Sequence, residues 1–135
     1  MSTDLRIVKN DANYDARALT ALLHTTWWAN DRPQTTVEKS VSNSLCYFAY
    51  DSTGQLIGFA RAITDYATNY YVCDVIVDEA HRGKGIGTRL IEALTGDEEI
   101  SRLKGLLVTN NAHALYRKFG FYSRENAFMQ KDRTP

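Results

Sequence analysis

The sequence predicts a single α/β or α+β domain, with a mixed central sheet and helices on its faces. Three observations support this fold class. The chain has 135 residues, strand-like and helical hydrophobic patterns alternate along it, and its 44% hydrophobic and 24% charged residues are typical of a globular core. No internal repeat or low-complexity segment marks a boundary. We therefore expect residues 1–135 to form one domain.

The first half of the chain is predicted to contain three strands and two helices. Leu19, Leu22 and Leu23 recur at helical spacing, and a Ser-Thr-Gly turn separates two β-rich runs. In order, we expect a strand at 5–9, a helix at 14–30, a short helix at 35–44 with Thr36 as its N-cap, and strands at 45–51 and 55–65.

The second half is predicted to form a strand–loop–helix–strand–helix–strand unit. Short apolar runs rich in β-branched residues predict the strands, and apolar residues at helical spacing predict the helices. In order, we expect a strand at 69–77, a loop at 78–85, a helix at 86–96 with Gly96 as its C-cap, a strand at 103–109, a helix at 112–119, and one or two strands within 121–131.

Charge and composition exclude several classes of protein. The 16 Lys and Arg residues balance 16 Asp and Glu residues, which argues against a protein that coats nucleic acid or binds membranes through a basic surface. No apolar run approaches the roughly 20 residues that span a bilayer, and the N-terminus lacks the apolar core of a signal peptide. We expect a soluble, cytoplasmic protein. Cys46 and Cys73 should be buried, reduced thiols, and no Cys–His spacing predicts a metal site.

The stretch HRGKGIGTRL predicts an anion-binding turn. Gly83, Gly85 and Gly87 alternate between a predicted strand and a predicted helix. Glycines, which lack Cβ, let a bulky diphosphate approach the unpaired N–H groups of a helix N-terminus. Arg82 and Lys84 add positive charge beside the turn.

The spacing of these glycines excludes two common nucleotide-binding motifs. The pattern G-x-G-x-x-G, counted from Gly83, needs glycine at its sixth position, where Thr88 stands. The P-loop needs Lys followed by Ser or Thr, whereas Lys84 is followed by Gly85. What remains is Arg-x-x-Gly-x-Gly before a helix, with the Thr88 hydroxyl in the first turn.

A second motif, NNAHALYRKFGF, follows the helix and strand downstream. Together with VIVDEAHRGKGIGTRLIEAL, it resembles the GCN5-related N-acetyltransferase (GNAT) family over nearly the whole chain. The family's pyrophosphate motif, R/Q-x-x-G-x-G/A, matches Arg82, Gly85 and Gly87. Its later motif, approximately N-x-x-A-x-x-L-Y-x-K-x-G-F, matches Ala112, Leu115, Tyr116, Lys118, Gly120 and Phe121. Thr109 departs from that motif, because it stands where Asn is usual.

The resemblance implies that acetyl-CoA is the co-substrate. The strands at 69–77 and 103–109 should run parallel and splay apart, so that the pantetheine arm pairs with exposed backbone in the split. The pyrophosphate should lie on the glycine loop. The residues expected to bind acetyl-CoA are Val75, Ile76, Val77, Arg82, Gly83, Lys84, Gly85, Ile86, Gly87, Thr88, Thr109, Asn111, His113 and Tyr116.

The resemblance also implies how the catalytic groups are arranged. Tyr116 matches the position that protonates or hydrogen-bonds the CoA sulfur, and a backbone N–H at Ile76 or Val77 should polarise the thioester carbonyl. The general base is not fixed by a motif, and some family members work through a chain of waters. Asp74 is the candidate, because it is a lone carboxylate in the apolar run YYVCDVIV. Strand alternation places it on the face opposite Cys73 and Val75.

Several alternatives stay open at this point. Asp74 can equally be a structural carboxylate, and His113, Asp65 and Glu79 are weaker candidates for proton transfer. For the acceptor site the candidates are Trp27, Trp28 and Asp31, because the family's acceptor is commonly walled by the first two helices; the tryptophans can equally be core residues or contacts of a homodimer. The expected activity is acetyl transfer to a small amine. The alternatives are an acyl-CoA sensor without catalysis and an acyltransferase with another donor or acceptor.

Overall fold

The computed structural model describes residues 5–134, which form a five-stranded sheet with helices packed on it. The strands are β1 (Arg6–Lys9), β2 (Leu45–Tyr50), β3 (Leu56–Thr64), β4 (Asn69–Val77) and β5 (Lys104–Leu107). The helices are α1 (Ala16–Leu23), α2 (Gln34–Ser42), α3 (Ile86–Thr95) and α4 (His113–Arg117). Neighbouring strands from β1 to β4 are antiparallel, whereas β5 pairs parallel with β4, which confirms the predicted mixed sheet.

Each face of the sheet carries its own apolar core. On one face, Leu90 and Leu94 of α3 are fully buried against residues of the sheet. On the other, Leu19 of α1 and Val37 of α2 pack against a cluster that contains Phe48. Full burial of one such large side chain contributes roughly 1.5–3 kcal/mol. These two layers confirm that helices cover both faces of the sheet.

Helix α1 is shorter than the sequence predicts. The Asp15 side chain caps it by accepting hydrogen bonds from the N–H groups of Arg17 and Ala18, but the helix ends at Leu23. The hydroxyl of Thr26 donates to the carbonyl of Leu23 and accepts from a later N–H, a local pairing that competes with helical hydrogen bonds. The prediction of a helix at 14–30 is therefore wrong in its second half, and residues 24–31 form turns and bends.

Two further predictions of secondary structure are wrong. Helix α2 has Pro33, not Thr36, at its N-cap position, because the fixed φ of Pro33 starts the helix without a side-chain cap. The predicted strands within 121–131 do not form among the described residues. That segment contains a polar run at 123–126, and Tyr122 and Met129 are exposed, so a strand there would bury little.

Strand β4 contains a bulge and then parts from β5. Phe59 pairs with Ile76 and Arg61 pairs with Cys73, so β4 has one residue more than β3 between these pairs. Asp74 lies in the bulge with a left-handed φ of 52°. Pairing between β4 and β5 stops at Val72, although β4 continues to Val77. The two parallel strands thus leave a gap beside the second half of β4, as the family resemblance implies.

No helix within residues 5–134 is both long enough and apolar enough to cross a membrane.

Candidate functional site

The backbone of β4 is open along the gap. The N–H of Asp78 donates to the carbonyl of Ile57, in β3, at 2.8 Å. Because peptide groups alternate in direction along an antiparallel strand, Ile76 turns its N–H toward β3 and Val77 turns its own away. The carbonyl of Val77 accepts a bond from Nε of Arg82 at 3.2 Å on that open side. Val77 therefore offers an N–H to the gap, whereas Ile76 does not.

The glycine loop leads from β4 into α3 and leaves an open concave backbone. Gly83 and Gly85 have φ values of 79° and 80°, which side-chain-bearing residues rarely adopt. A Cβ added at either position would meet no atom within 4 Å, whereas one at Gly87 would lie 3.5 Å from Cγ2 of Val77. Gly85 is the N-cap of α3, and no side chain caps the helix.

These features fit a diphosphate. The N–H groups of the first turn of a helix have no intrahelical partner, and the helix dipole places partial positive charge there. The open space in front of Gly83 and Gly85 gives an anion access to those groups. Arg82, Lys84 and Thr88 are exposed around the same turn, as predicted for the loop.

Tyr116 lies on α4 and is half-buried, with its ring edge-on to Phe121 at 5.9 Å between centroids. Burial raises the pKa of its hydroxyl above the ordinary value of 10, and nearby Cys73 adds to this effect. Cys73 is the first residue of β4 beyond the last pair with β5, which locates Tyr116 near the opening of the gap. Because its pKa is raised, the hydroxyl stays protonated at neutral pH. It has no hydrogen-bond partner within residues 5–134, which leaves it free to donate.

The other predicted residues near α4 occupy its N-terminal turn. Oγ1 of Thr109 accepts a hydrogen bond from the N–H of Ala112 at 3.0 Å, which fixes the turn that enters the helix. A short oxygen-bearing side chain suffices for this bond, so Thr109 can stand where Asn is usual. Asn111 and His113 are exposed beside it.

Asp74 is buried and held by two arginines. Its Oδ2 accepts hydrogen bonds from Nη1 of Arg32 at 2.7 Å and from Nε of Arg61 at 2.9 Å. Burial alone would raise the pKa of this carboxyl, but the bond from Arg32 and the charges of both guanidinium groups outweigh it and hold the pKa below 3.8. Asp74 is therefore an ionised carboxylate with little affinity for a proton near neutral pH.

The bulge also changes which face Asp74 occupies. Cys73 is the direct partner of Arg61 across the strands, and the Asp74 carboxylate bonds that same arginine, so Cys73 and Asp74 share a face. Strand alternation predicted opposite faces, which is wrong because a bulge turns two successive side chains to one side. Val75 packs against the core of α3 on the other face, as predicted.

Sequence reasoning missed both arginines of this site, Arg32 and Arg61. Arg61 is a lone cation in the apolar run LIGFARAIT, just as Asp74 is a lone carboxylate in YYVCDVIV. Two lone opposite charges in adjacent apolar strands are a signal for a buried ion pair.

The acceptor candidates lie on the turns after α1. Trp27 and Trp28 are 74% and 41% exposed, and their rings meet edge to face at 5.8 Å. Asp31 is exposed, and the next residue, Arg32, ties the segment to the β4 bulge through Asp74. The weaker candidates lie elsewhere: Asp65 bonds within its own turn, and Glu79 is exposed in a single 3-10 turn before the loop.

Comparison with known proteins decides the family. Residues 42–123 match the family model described as acetyltransferase (GNAT) domain. The chain belongs to the GNAT acetyltransferase family. A GNAT protein of known structure from Xanthomonas campestris is 30% identical, with a TM-score of 0.87 over 96% of this chain and 93% of that one.

Two other acetyltransferases mark the range of similarity. An acetyltransferase of Gibberella zeae is 29% identical over 115 residues, which are 70% of this chain and 64% of that protein. The chain thus spans slightly less than two thirds of that relative's length. An aminoglycoside N-acetyltransferase solved in complex with CoA shares the fold, with a TM-score of 0.74 at 16% identity over 99% of this chain and 98% of that one.

No group of three or more His, Cys, Asp or Glu side chains in the described part of the GNAT chain is placed to hold a metal ion.

Proposed function

We propose that this protein transfers the acetyl group of acetyl-CoA to the amine of a small substrate, with both molecules bound at once. The observation that carries this proposal is the meeting of three features at one end of β4. They are an open backbone edge, an uncapped helix N-terminus reached through left-handed glycines, and a protonated tyrosine near the gap.

Acetyl-CoA, when bound, supplies an activated acetyl thioester. The glycine loop follows the carboxyl end of β4 and leads into α3. The N–H groups in the first turn of α3 hold the diphosphate, and Arg82 and Lys84 supply the opposite charge. The pantetheine arm then runs back along β4. Val77, near the loop, pairs with that arm, while Val75, beside the bulge, donates its N–H to the thioester carbonyl. This assignment moves the carbonyl donor from Ile76 or Val77 to Val75.

Tyr116 donates the proton that the departing sulfur needs. A phenol with a pKa above 10 keeps its proton at neutral pH, whereas a thiol has a pKa near 8.5. The hydroxyl can therefore stabilise the thiolate as it leaves, by a hydrogen bond or by proton transfer. Because the Asp74 carboxylate is ion-paired with two arginines, we propose that it positions the β4 bulge and does not act as the general base. The acceptor amine loses its proton to solvent.

A cytoplasmic location and a homodimeric assembly remain predictions. That residues 1–135 form a single catalytic domain also remains a prediction.

Gly85→Ala is expected to weaken acetyl-CoA binding at least about tenfold, because a Cβ in the loop enters the space where the diphosphate lies and disfavours the left-handed turn. Wild-type protein should bind acetyl-CoA in the micromolar range. Isothermal titration measures both values, with ATP as a comparison ligand.

Gly54→Ala is the matched control. Gly54 has a φ of 86° and open space around its Cβ position, like Gly85, but it lies in the turn between β2 and β3. Both substitutions should cost about 1–2 kcal/mol of stability, and only Gly85→Ala should affect binding. Wild-type protein that fails to bind acetyl-CoA, or equal losses in both variants, would contradict the proposal.

A further inference from the structure

The ion-pair network of Asp74, Arg32 and Arg61 carries a net positive charge. Two guanidinium groups share a single carboxylate oxygen, at 2.7 and 2.9 Å. Two thiols lie near Arg61, and burial raises the pKa of Cys46 to about 12 and that of Cys73 to about 11. Both thiols are therefore neutral at pH 7, and neither balances the excess charge.

Both guanidinium groups have N–H donors that make no hydrogen bond within residues 5–134. Arg61 also donates from Nη1 to Oγ of Ser44 at 3.0 Å, but Nη2 of each arginine and Nε of Arg32 have no partner within residues 5–134. No buried side-chain nitrogen in that part of the chain lacks a partner, so these donors reach solvent. The two side chains are only 17% and 11% exposed, and partial burial strengthens their attraction for an anion.

The ion-pair network lies beside the gap between β4 and β5, where the acceptor amine would approach acetyl-CoA. Arg61 faces Cys73, directly after the last residue pair between β4 and β5. Arg32 belongs to the segment of Trp27 and Trp28, and Nε2 of His24 lies 2.7 Å from its backbone carbonyl. The free donors are therefore placed on the face of α1 and α2, beside the proposed acceptor segment.

We propose that Arg32 and Arg61 bind an anionic group on the acceptor, a carboxylate or a phosphate, and so select amines that carry one. The inference rests on the proposed acetyl transfer and narrows its substrate class. A guanidinium group matches a carboxylate or phosphate with two parallel N–H bonds. An α-amino acid, whose amine and carboxylate share one carbon, belongs to this class, whereas a polyamine does not.

The test uses pairs of amines that differ in the anionic group. Phenylalanine is compared with phenethylamine, and phosphoethanolamine with ethanolamine, by release of CoA thiol from acetyl-CoA. The anionic member of at least one pair should have a kcat/KM at least about tenfold higher. The first pair reports a carboxylate and the second a phosphate, so the preferred pair identifies the group that is bound.

Variants assign this preference to Arg32. Arg32→Gln should reduce the preference for the anionic amine at least about tenfold, mainly by raising its KM. Arg32→Lys should restore part of the preference, because Lys keeps the positive charge but lacks the two parallel N–H donors of a guanidinium group. Arg102→Gln, at an exposed arginine remote in sequence from the site, should leave it unchanged. An equal loss of kcat for all amines in Arg32→Gln would show a structural role and overturn the inference.

A binding measurement separates this inference from the proposed function. Trp27 and Trp28 are the only tryptophans and lie close to Arg32 in the chain, so their fluorescence should report phenylalanine binding. Tighter binding of phenylalanine than of phenethylamine, with no acetylation of any amine, would support the anion site and contradict the proposed function. Acetylation of amines without preference for the anionic members would contradict the anion site alone.

Discussion

Tyr116→Phe should lower kcat about 100-fold while it changes the affinity for acetyl-CoA by less than about twofold. The substitution keeps the ring that packs on Phe121 and removes only the hydroxyl, which has no hydrogen-bond partner among the described residues. Stability should therefore change little. The departing sulfur would lose its proton donor, and steady-state kinetics with a titration of acetyl-CoA separate the two effects.

The pH dependence of the wild-type enzyme checks the same assignment. Because the pKa of Tyr116 is raised above 10, its hydroxyl stays protonated through pH 9, and kcat should not fall between pH 7 and 9 through loss of this donor. Tyr122→Phe is the control, since Tyr122 is 78% exposed and follows α4 in the chain. A kcat in Tyr116→Phe equal to that of the control would remove Tyr116 from the acid role.

Asp74→Ala should lower the free energy of unfolding by about 3 kcal/mol or more, because it leaves two largely buried guanidinium groups without their counter-charge. Urea denaturation measures the change. Asp31→Ala, at an exposed neighbour of Arg32, is the control and should change stability by less than about 0.5 kcal/mol.

The same carboxylate predicts a dependence of stability on acid. The folded-state pKa of Asp74 lies below its unfolded value near 3.9, so its contribution is fully present above that value and is lost as the pH falls toward the folded pKa. Asp74→Ala should lack this part of the acid destabilisation below about pH 4. An unchanged unfolding free energy at pH 7 would show that the network does not stabilise the fold.

The parts of the site whose geometry is set by residues adjacent in the chain could be predicted from the sequence. Gly83 and Gly85 form the turn that their spacing predicted, and α3 begins directly after them. The gap beside β4 followed from the resemblance carried by the same motifs. In these segments, the local chain determines the local geometry.

The parts that were missed depend on pairing between distant segments or on competing local bonds. The bulge at Asp74 exists only in the register between β3 and β4, so no alternation within YYVCDVIV could reveal it. Arg61 and Arg32 reach Asp74 from 13 and 42 residues away. Helix α1 stops where the Thr26 hydroxyl replaces a helical hydrogen bond, a choice that helical periodicity does not detect.

The bulge network connects the two halves of the proposed reaction. Asp74 joins the acceptor segment, through Arg32, to the strand that would hold the thioester. A buried carboxylate in this family need not be a base. We propose that Asp74 orders the site and leaves the excess positive charge of the two arginines toward the acceptor.

Release of CoA thiol from acetyl-CoA in the presence of amines is the decisive measurement for acetyl transfer. We predict release that depends on both enzyme and amine, and a matching N-acetylated product by mass spectrometry. Tight binding of acetyl-CoA without amine-dependent release across a panel that includes amino acids, polyamines and arylamines would contradict acetyl transfer and favour a CoA sensor.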